Sequence, residues 1–215
     1  MKSIAKLCLL LTLTCGIFSA CSKSKSTSGI SNDVPINTDT LMNKKVLIVY
    51  LSRTNNTKAI ATIIQKNVGG KMVALELTNP YPENYKQIVD QVADENSTGF
   101  LPPLKTKIDH IEQYDFIFLG FPTWGMQLPP PMKSFLKEYD LKGKTIVPFN
   151  TNAGYGIGST FQTVKELAPE STITEGFSIK GGIERDGILF VMEGAKEKQA
   201  EAQVQTWLRK IKLLK

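Results

Sequence analysis

Three short stretches hold most of the residues whose types suit chemistry: Ser52-Arg53-Thr54-Asn55-Asn56-Thr57, Pro122-Thr123-Trp124-Gly125-Met126 and Asn152-Ala153-Gly154-Tyr155-Gly156. The first offers hydroxyls, amides and backbone N–H groups ahead of an apolar-periodic segment, a combination suited to an anion at a helix N-terminus. Ser, Thr and Asn also cap helices everywhere. Six polar residues in a row exceed what a cap requires. The second stretch sets a large flat aromatic beside a glycine, which either covers a sheet end or faces a ligand. The third alternates glycines around Tyr155 and continues to Gly158, so its backbone can approach a flat ligand closely. Neither a Walker A loop nor a G-x-G-x-x-G turn is present.

Composition removes several other chemistries. Cys8, Cys15 and Cys21 all lie in the first tenth of the 215-residue chain, and everything after them is thiol-free. Disulfides within the fold, cysteine zinc sites, thiol catalysis and iron–sulfur clusters are thereby excluded. His110 is the one histidine, and the acidic residues show no metal-ligand spacing. Redox chemistry, if any, must come from a bound cofactor. With 41% hydrophobic and 21% charged residues the chain is an ordinary globular one, and its net charge of +6 is too evenly spread to argue for nucleic acid.

The three stretches follow apolar runs. Val46-Leu47-Ile48-Val49-Tyr50-Leu51 reads as a strand buried on both faces, as do Phe116-Ile117-Phe118-Leu119-Gly120-Phe121 and Thr145-Ile146-Val147-Pro148-Phe149. Residues 72–77 and 172–179 supply two further strands. Helical stripes lie between them: Ala59, Ile60, Ile63, Ile64 and Val68; then Tyr85, Ile88, Val89 and Val92; then Met132, Phe135 and Leu136 after a proline run; then Phe161, Val164, Leu167 and Ala168. A last stripe carries Ala200, Val204, Trp207, Leu208 and Ile211. Five β-α units fold as a parallel sheet with helices on both faces, and ligands then bind beyond the carboxyl ends of the strands. Residues 184–193 fit no element of this alternation.

The first stretch resembles the S-x-T-G-N-T phosphate loop of flavodoxins, departing from it at Asn55, where glycine is usual. Asn is the least costly replacement if the backbone there is left-handed. The second resembles the P-x-[WY]-x loop of the same family, and Tyr155 resembles the aromatic that stacks on the outer ring face. Thr78-Asn79-Pro80-Tyr81-Pro82 is similar to one bacterial branch, its aromatics expected at the sheet edge. The resemblance implies a flavodoxin-like three-layer α/β sandwich with a five-stranded parallel sheet of order 2-1-3-4-5. It implies bound FMN, with Ser52, Thr54, Asn56 and Thr57 holding the phosphate and Arg53 pairing on its rim. Trp124 and Tyr155 would flank the ring, with the backbone around Gly125, Met126, Asn152, Ala153, Gly154 and Gly156 at its polar edges. The implied function is electron transfer. An FMN-dependent NAD(P)H:quinone-type oxidoreductase and a flavin-free scaffold are the rivals; no second nucleotide motif supports the former.

Lys2 and Lys6 precede the uncharged apolar run 7–20, which ends Phe18-Ser19-Ala20-Cys21. That pattern reads as a secretory signal, and its end is similar to a bacterial lipoprotein cleavage site. The expected organisation is a signal at 1–21 with lipid on Cys21, a polar tether at 22–42, and a flavodoxin-like domain at 43–215. Met42 could instead start a cytosolic form. The lipoprotein reading places the domain outside the cytoplasm at the cell envelope, with a redox protein or a membrane quinone as partner and no nucleic acid. Cys21→Ala is expected to release the chain from membranes or to leave uncleaved precursor. Metabolic labelling with a fatty acid should mark the wild type and not the variant; an unlabelled wild type would sink the assignment.

Overall fold

The computed structural model describes residue 41 and residues 43–214. The expected signal, Cys21 and all of the tether except Leu41 lie outside the described residues. Strand β1 (Val46–Tyr50) is buried along its whole length and pairs in parallel with β2 (Lys71–Ala74) and with β3 (Phe116–Pro122). β3 pairs in turn with β4 (Thr145–Asn152), and β4 with β5 (Thr172–Ile173), so the order is 2-1-3-4-5 as the resemblance implied.

Alternation along the strands divides the core in two. Ile48, Tyr50, Phe118 and Phe149 face α1 (Asn56–Val68) and α5 (Gly194–Lys210), which contribute Ile60, Ile64, Val204 and Trp207. Leu47, Val49, Leu119 and Phe121 face α3 (Pro130–Glu138) and α4 (Thr160–Leu167), which contribute Met132, Phe135 and Val164. Each such side chain contributes about 1.5–3 kcal/mol when removed from water. The remaining helix, α2 (Tyr85–Thr98), is capped by Asn84, whose side chain accepts from the Gln87 N–H at 3.1 Å.

Two strands differ from the sequence expectation, each for a local reason. β2 stops at Ala74, because the chain then turns away from β1 to bond the 104–106 segment: Lys105 N–H donates to the Glu76 carbonyl at 2.8 Å and Glu76 N–H to Thr106 Oγ1 at 2.7 Å. The single run expected at 172–179 is divided into β5 and β6 (Phe177–Lys180), both parallel to β4. The break is built in by two contacts. Trp207 Nε1 takes the Glu175 carbonyl at 3.0 Å, and Gly176 lies so close under Phe161 that a Cβ would stand 2.4 Å from the ring. The unassigned stretch at 184–193 opens with a 3₁₀ turn, Glu184–Asp186, and folds back through a bridge between Ile183 and Ile188.

Gly120, in the centre of β3, lies under the Phe149 ring, where a Cβ would stand 2.1 Å from the nearest ring carbon. Gly120→Ala is therefore an overpacking change, expected to cost about 1–3 kcal/mol. Urea unfolding should show a lower midpoint; an unchanged midpoint would mean that the ring moves aside freely.

Candidate functional site

The loops leaving β1, β3 and β4 meet beyond the carboxyl ends of the strands, and with α2 they enclose a cavity of about 430 Å³. That size suits a small-molecule site. One flank is polar, formed by Arg53, Thr54, Asn56, Thr151 and Glu184. The other is largely apolar, formed by Tyr85, Ile88, Val89 and Val92 of α2 facing Pro122 and Trp124.

In the first loop Asn55 has φ +63°, the left-handed conformation that its usual glycine would take freely, and it immediately precedes α1. Arg53, Thr54 and Asn56 line the cavity; Ser52, Asn55 and Thr57 do not. The Ser52 hydroxyl accepts from the Lys58 N–H at 3.2 Å, and Thr57 Oγ1 shares a buried hydrogen bond with Thr151 Oγ1 at 2.8 Å. Arg53 departs from the expected phosphate pairing. Its Nε donates to Glu184 Oε1 at 2.7 Å, and its terminal nitrogens donate to the carbonyls of Pro82 and Glu83. Asn56 departs as well: its amide donates to Thr54 Oγ1 at 2.9 Å and the Leu189 carbonyl at 2.6 Å, and its oxygen accepts from the Val191 N–H at 3.1 Å. These side chains brace the loop.

The second loop is a tight reversal. Trp124 and Gln127 exchange backbone hydrogen bonds at 3.2 and 2.9 Å around Gly125 (φ +54°) and Met126 (φ +60°), the double left-handed geometry of a type I′ turn. Pro122, Thr123, Trp124 and Gly125 line the cavity, whereas Met126 points to solvent. Trp124 is held from behind by Tyr81, edge to face at 5.5 Å. The Tyr81 hydroxyl donates to Glu95, which is 4% exposed and also accepts from Gln91 Nε2 at 2.8 Å.

In the third loop Asn152 and Ala153 line the cavity, and Gly154, Tyr155 and Gly156 do not. Asn152 Oδ1 accepts from the N–H groups of Gly154 (2.8 Å) and Gly156 (3.2 Å), which curls the loop outward. Tyr155 is 66% exposed and stands beside Arg185, outside the cavity lining. Sequence reasoning missed the cavity face of α2, which reads as a core stripe, together with Thr151, Gln127 and Glu184 and the pair Gly181-Gly182. That adjacent pair before an unassigned stretch was the available signal.

A doubly covered parallel sheet with an amide-rich loop and an aromatic turn at its switch point defines a mononucleotide-binding α/β protein. Residues 45–194 match the family model for flavodoxin, and the chain belongs to that family. It is 25% identical over 187 residues to a flavodoxin of Synechocystis, covering 78% of this chain and 96% of the relative. Among solved structures it is similar to a chain from Bacteroides eggerthii designated a flavoprotein, at 26% identity and a TM-score of 0.63, covering 79% of this chain and 98% of the other. A flavoprotein from Lactobacillus acidophilus, solved in complex with FMN, shares the fold at 23% identity and a TM-score of 0.54, covering 67% and 98%.

Burial, and then the Glu95 carboxylate, hold the Tyr81 phenol well above its ordinary value of 10.0. The folded state binds this proton more tightly than the unfolded chain, so the contribution to stability is complete below pH 10 and is lost as pH climbs beyond it. Tyr81→Phe leaves a buried carboxylate short of a donor and is expected to cost about 1–3 kcal/mol in urea unfolding. Its loss should also shrink on moving the wild type into that alkaline range. Equal stability of variant and wild type at neutral pH would refute the role given to the hydroxyl.

Proposed function

We propose that this flavodoxin is an FMN-dependent electron carrier held at the bacterial cell envelope by lipid on Cys21. The observation that carries the cofactor is the two-sided cavity, polar at the loop after β1 and apolar between α2 and Trp124. FMN has that same division, and when bound it supplies one- or two-electron chemistry. The residues present fit it. Backbone N–H groups of residues 54–57 and the Thr54 hydroxyl take the phosphate, aided by the positive end of α1, whose first turn holds no acidic residue. Arg53 and Glu184 offset one another there, so the charge is met by dipoles and not by a net cation. Trp124, fixed by Tyr81, presents its ring to the flavin. Gly125 gives the backbone access on the same side, with nothing within 4 Å of the position of a Cβ. The chain's own side chains are assigned no proton transfer or nucleophilic role, because moving electrons requires none.

Envelope anchoring rests on the signal-like N-terminus and the Cys21 context. An anchored carrier would exchange electrons with a redox protein or a membrane quinone, and the scarcity of nicotinamide cofactors outside the cytoplasm favours this over an NAD(P)H oxidoreductase. The test uses the detergent-solubilised full chain. A flavin spectrum, prompt reduction by dithionite and negligible NADH or NADPH oxidation are expected. Trp124→Ala should retain the fold and lose FMN affinity roughly ten- to a hundredfold, the loss of one stacked aromatic. Steady NAD(P)H oxidation with a quinone acceptor near 10 per second would favour the oxidoreductase. A chain that binds no flavin would favour the scaffold.

A further inference from the structure

The cavity is long in one direction. Its lining on α2 runs from Tyr85 to Ser97, about 18 Å at the rise of an α-helix. The Tyr85 end adjoins the phosphate loop, because Arg53 bonds the carbonyls of Pro82 and Glu83 just before the helix. The other end is tied to α3 instead. There Asn96 lines the cavity, and its Oδ1 accepts from Lys133 Nζ at 2.7 Å. Asn96 is the one partner of that ammonium among the described residues, and burial holds the Lys133 pKa below its ordinary value. With its oxygen engaged, the Asn96 amide has only N–H to offer the cavity. Gln127, three positions before α3, lines the cavity too; its backbone pairs with Trp124, and its side chain has no partner among the described residues.

FMN, placed as above, uses the loop end of this wall and the apolar stretch beside Trp124. It leaves the Asn96–Lys133 pair without a role. A protein docking at the cavity mouth needs no donor on an inner wall. A small flat molecule with an acceptor oxygen does, since a few placed polar groups in an apolar cleft are what orient such a ligand. We propose that this end of the cavity is a quinone subsite. The quinone ring lies along the wall of Val89 and Val92, and one carbonyl oxygen accepts from Asn96 Nδ2. Lys133 is a positioning residue: it holds the amide in that orientation, and its charge polarises the donor. Gln127 supplies a second amide donor. The quinone takes two electrons and two protons from the reduced cofactor, so that both carbonyls become hydroxyls and the cofactor is left oxidised. This inference rests on the carrier reading above and gives its small-molecule partner a place to bind.

The test uses the detergent-solubilised full chain loaded with FMN, with duroquinone as the probe. Equilibrium dialysis of the oxidised chain gives the duroquinone Kd. Anaerobic reoxidation after dithionite gives KM and kcat. Wild type is expected to bind saturably. Asn96→Leu keeps the size of the side chain and should raise Kd and KM about fivefold, the effect of one lost hydrogen bond, with kcat changed less. Lys133→Met should act in the same direction, and Lys133→Arg, which can still donate to Asn96, should restore most of the affinity. Near-UV circular dichroism verifies folding, and Lys133→Met decides if Asn96→Leu does not fold. A wild type without saturable binding, or folded variants with unchanged Kd and KM, would overturn the subsite and leave the carrier reading standing. An equal loss of FMN from Asn96→Leu would mean that the amide serves the flavin, which overturns the subsite as well. A wild type that binds no FMN overturns both.

Discussion

A sheet whose two faces are both covered by helices leaves only its edges and strand ends open to ligands, and that constraint organises this molecule. β1, β3 and β4 carry almost no polar side chain until their carboxyl ends, because every position before them faces a helix. Chemistry-bearing residues are displaced into the loops that follow. β1 lies between β2 and β3, so the loop after β1 and the loops after β3 and β4 lead to opposite layers and leave a crevice between them. The cavity is a consequence of strand order before it is a consequence of any particular residue.

Given that crevice, the backbone conformations at its rim decide what it can hold. Asn55 turns left-handed and starts α1 without a bond from its own side chain, while the Ser52 hydroxyl takes the Lys58 N–H of the first turn. Gly125 and Met126 reverse the chain in two residues, keeping Trp124 next to the strand that delivers it. Neither turn would hold Trp124 by itself. The buried Glu95 on α2, reached through Tyr81, ties the aromatic to a helix that otherwise contributes little to the two main cores. A carboxylate buried this deeply is costly unless its oxygens are satisfied, and here Tyr81 and Gln91 satisfy both.

The fold was legible because long apolar strands and 3.6-residue stripes are strong signals, and the motifs stood after the strands that a parallel sheet requires. What was not legible came from long-range pairing. Nothing local in Arg53 shows that Glu184, 131 residues away, is its partner, and nothing in Asn56 shows that it supports Leu189 and Val191. Both were read by type as phosphate ligands. The exposure of Tyr155 was not legible either: its setting between glycines suits a ring contact, and nothing local shows that Asn152 accepts from the Gly154 and Gly156 N–H groups. The stripe on α2 has the spacing of a core face, and period alone does not separate a face that meets the sheet from one that walls a cavity. Division of the last strand depended on Phe161 and Trp207, each remote in sequence from Gly176.

These long-range pairs bear on energetics as well as on shape. Asn56 bonds Thr54 in the phosphate loop and Leu189 and Val191 in the 181–191 segment, while Arg53 ties the loop to Glu184 and to the Pro82 and Glu83 carbonyls, so these segments cannot loosen independently. The Arg53–Glu184 pair is only about one-fifth exposed on either side, so breaking it strands a poorly hydrated charge, and its worth exceeds that of a surface pair. A phosphate approaching the loop would therefore meet a cavity whose lining cation, Arg53, is already engaged. Net positive charge would have drawn any polyanion to this spot with little regard to its shape. With Arg53 engaged by Glu184 and no acidic residue in the first turn of α1, the loop would offer an anion dipoles in place of a free guanidinium.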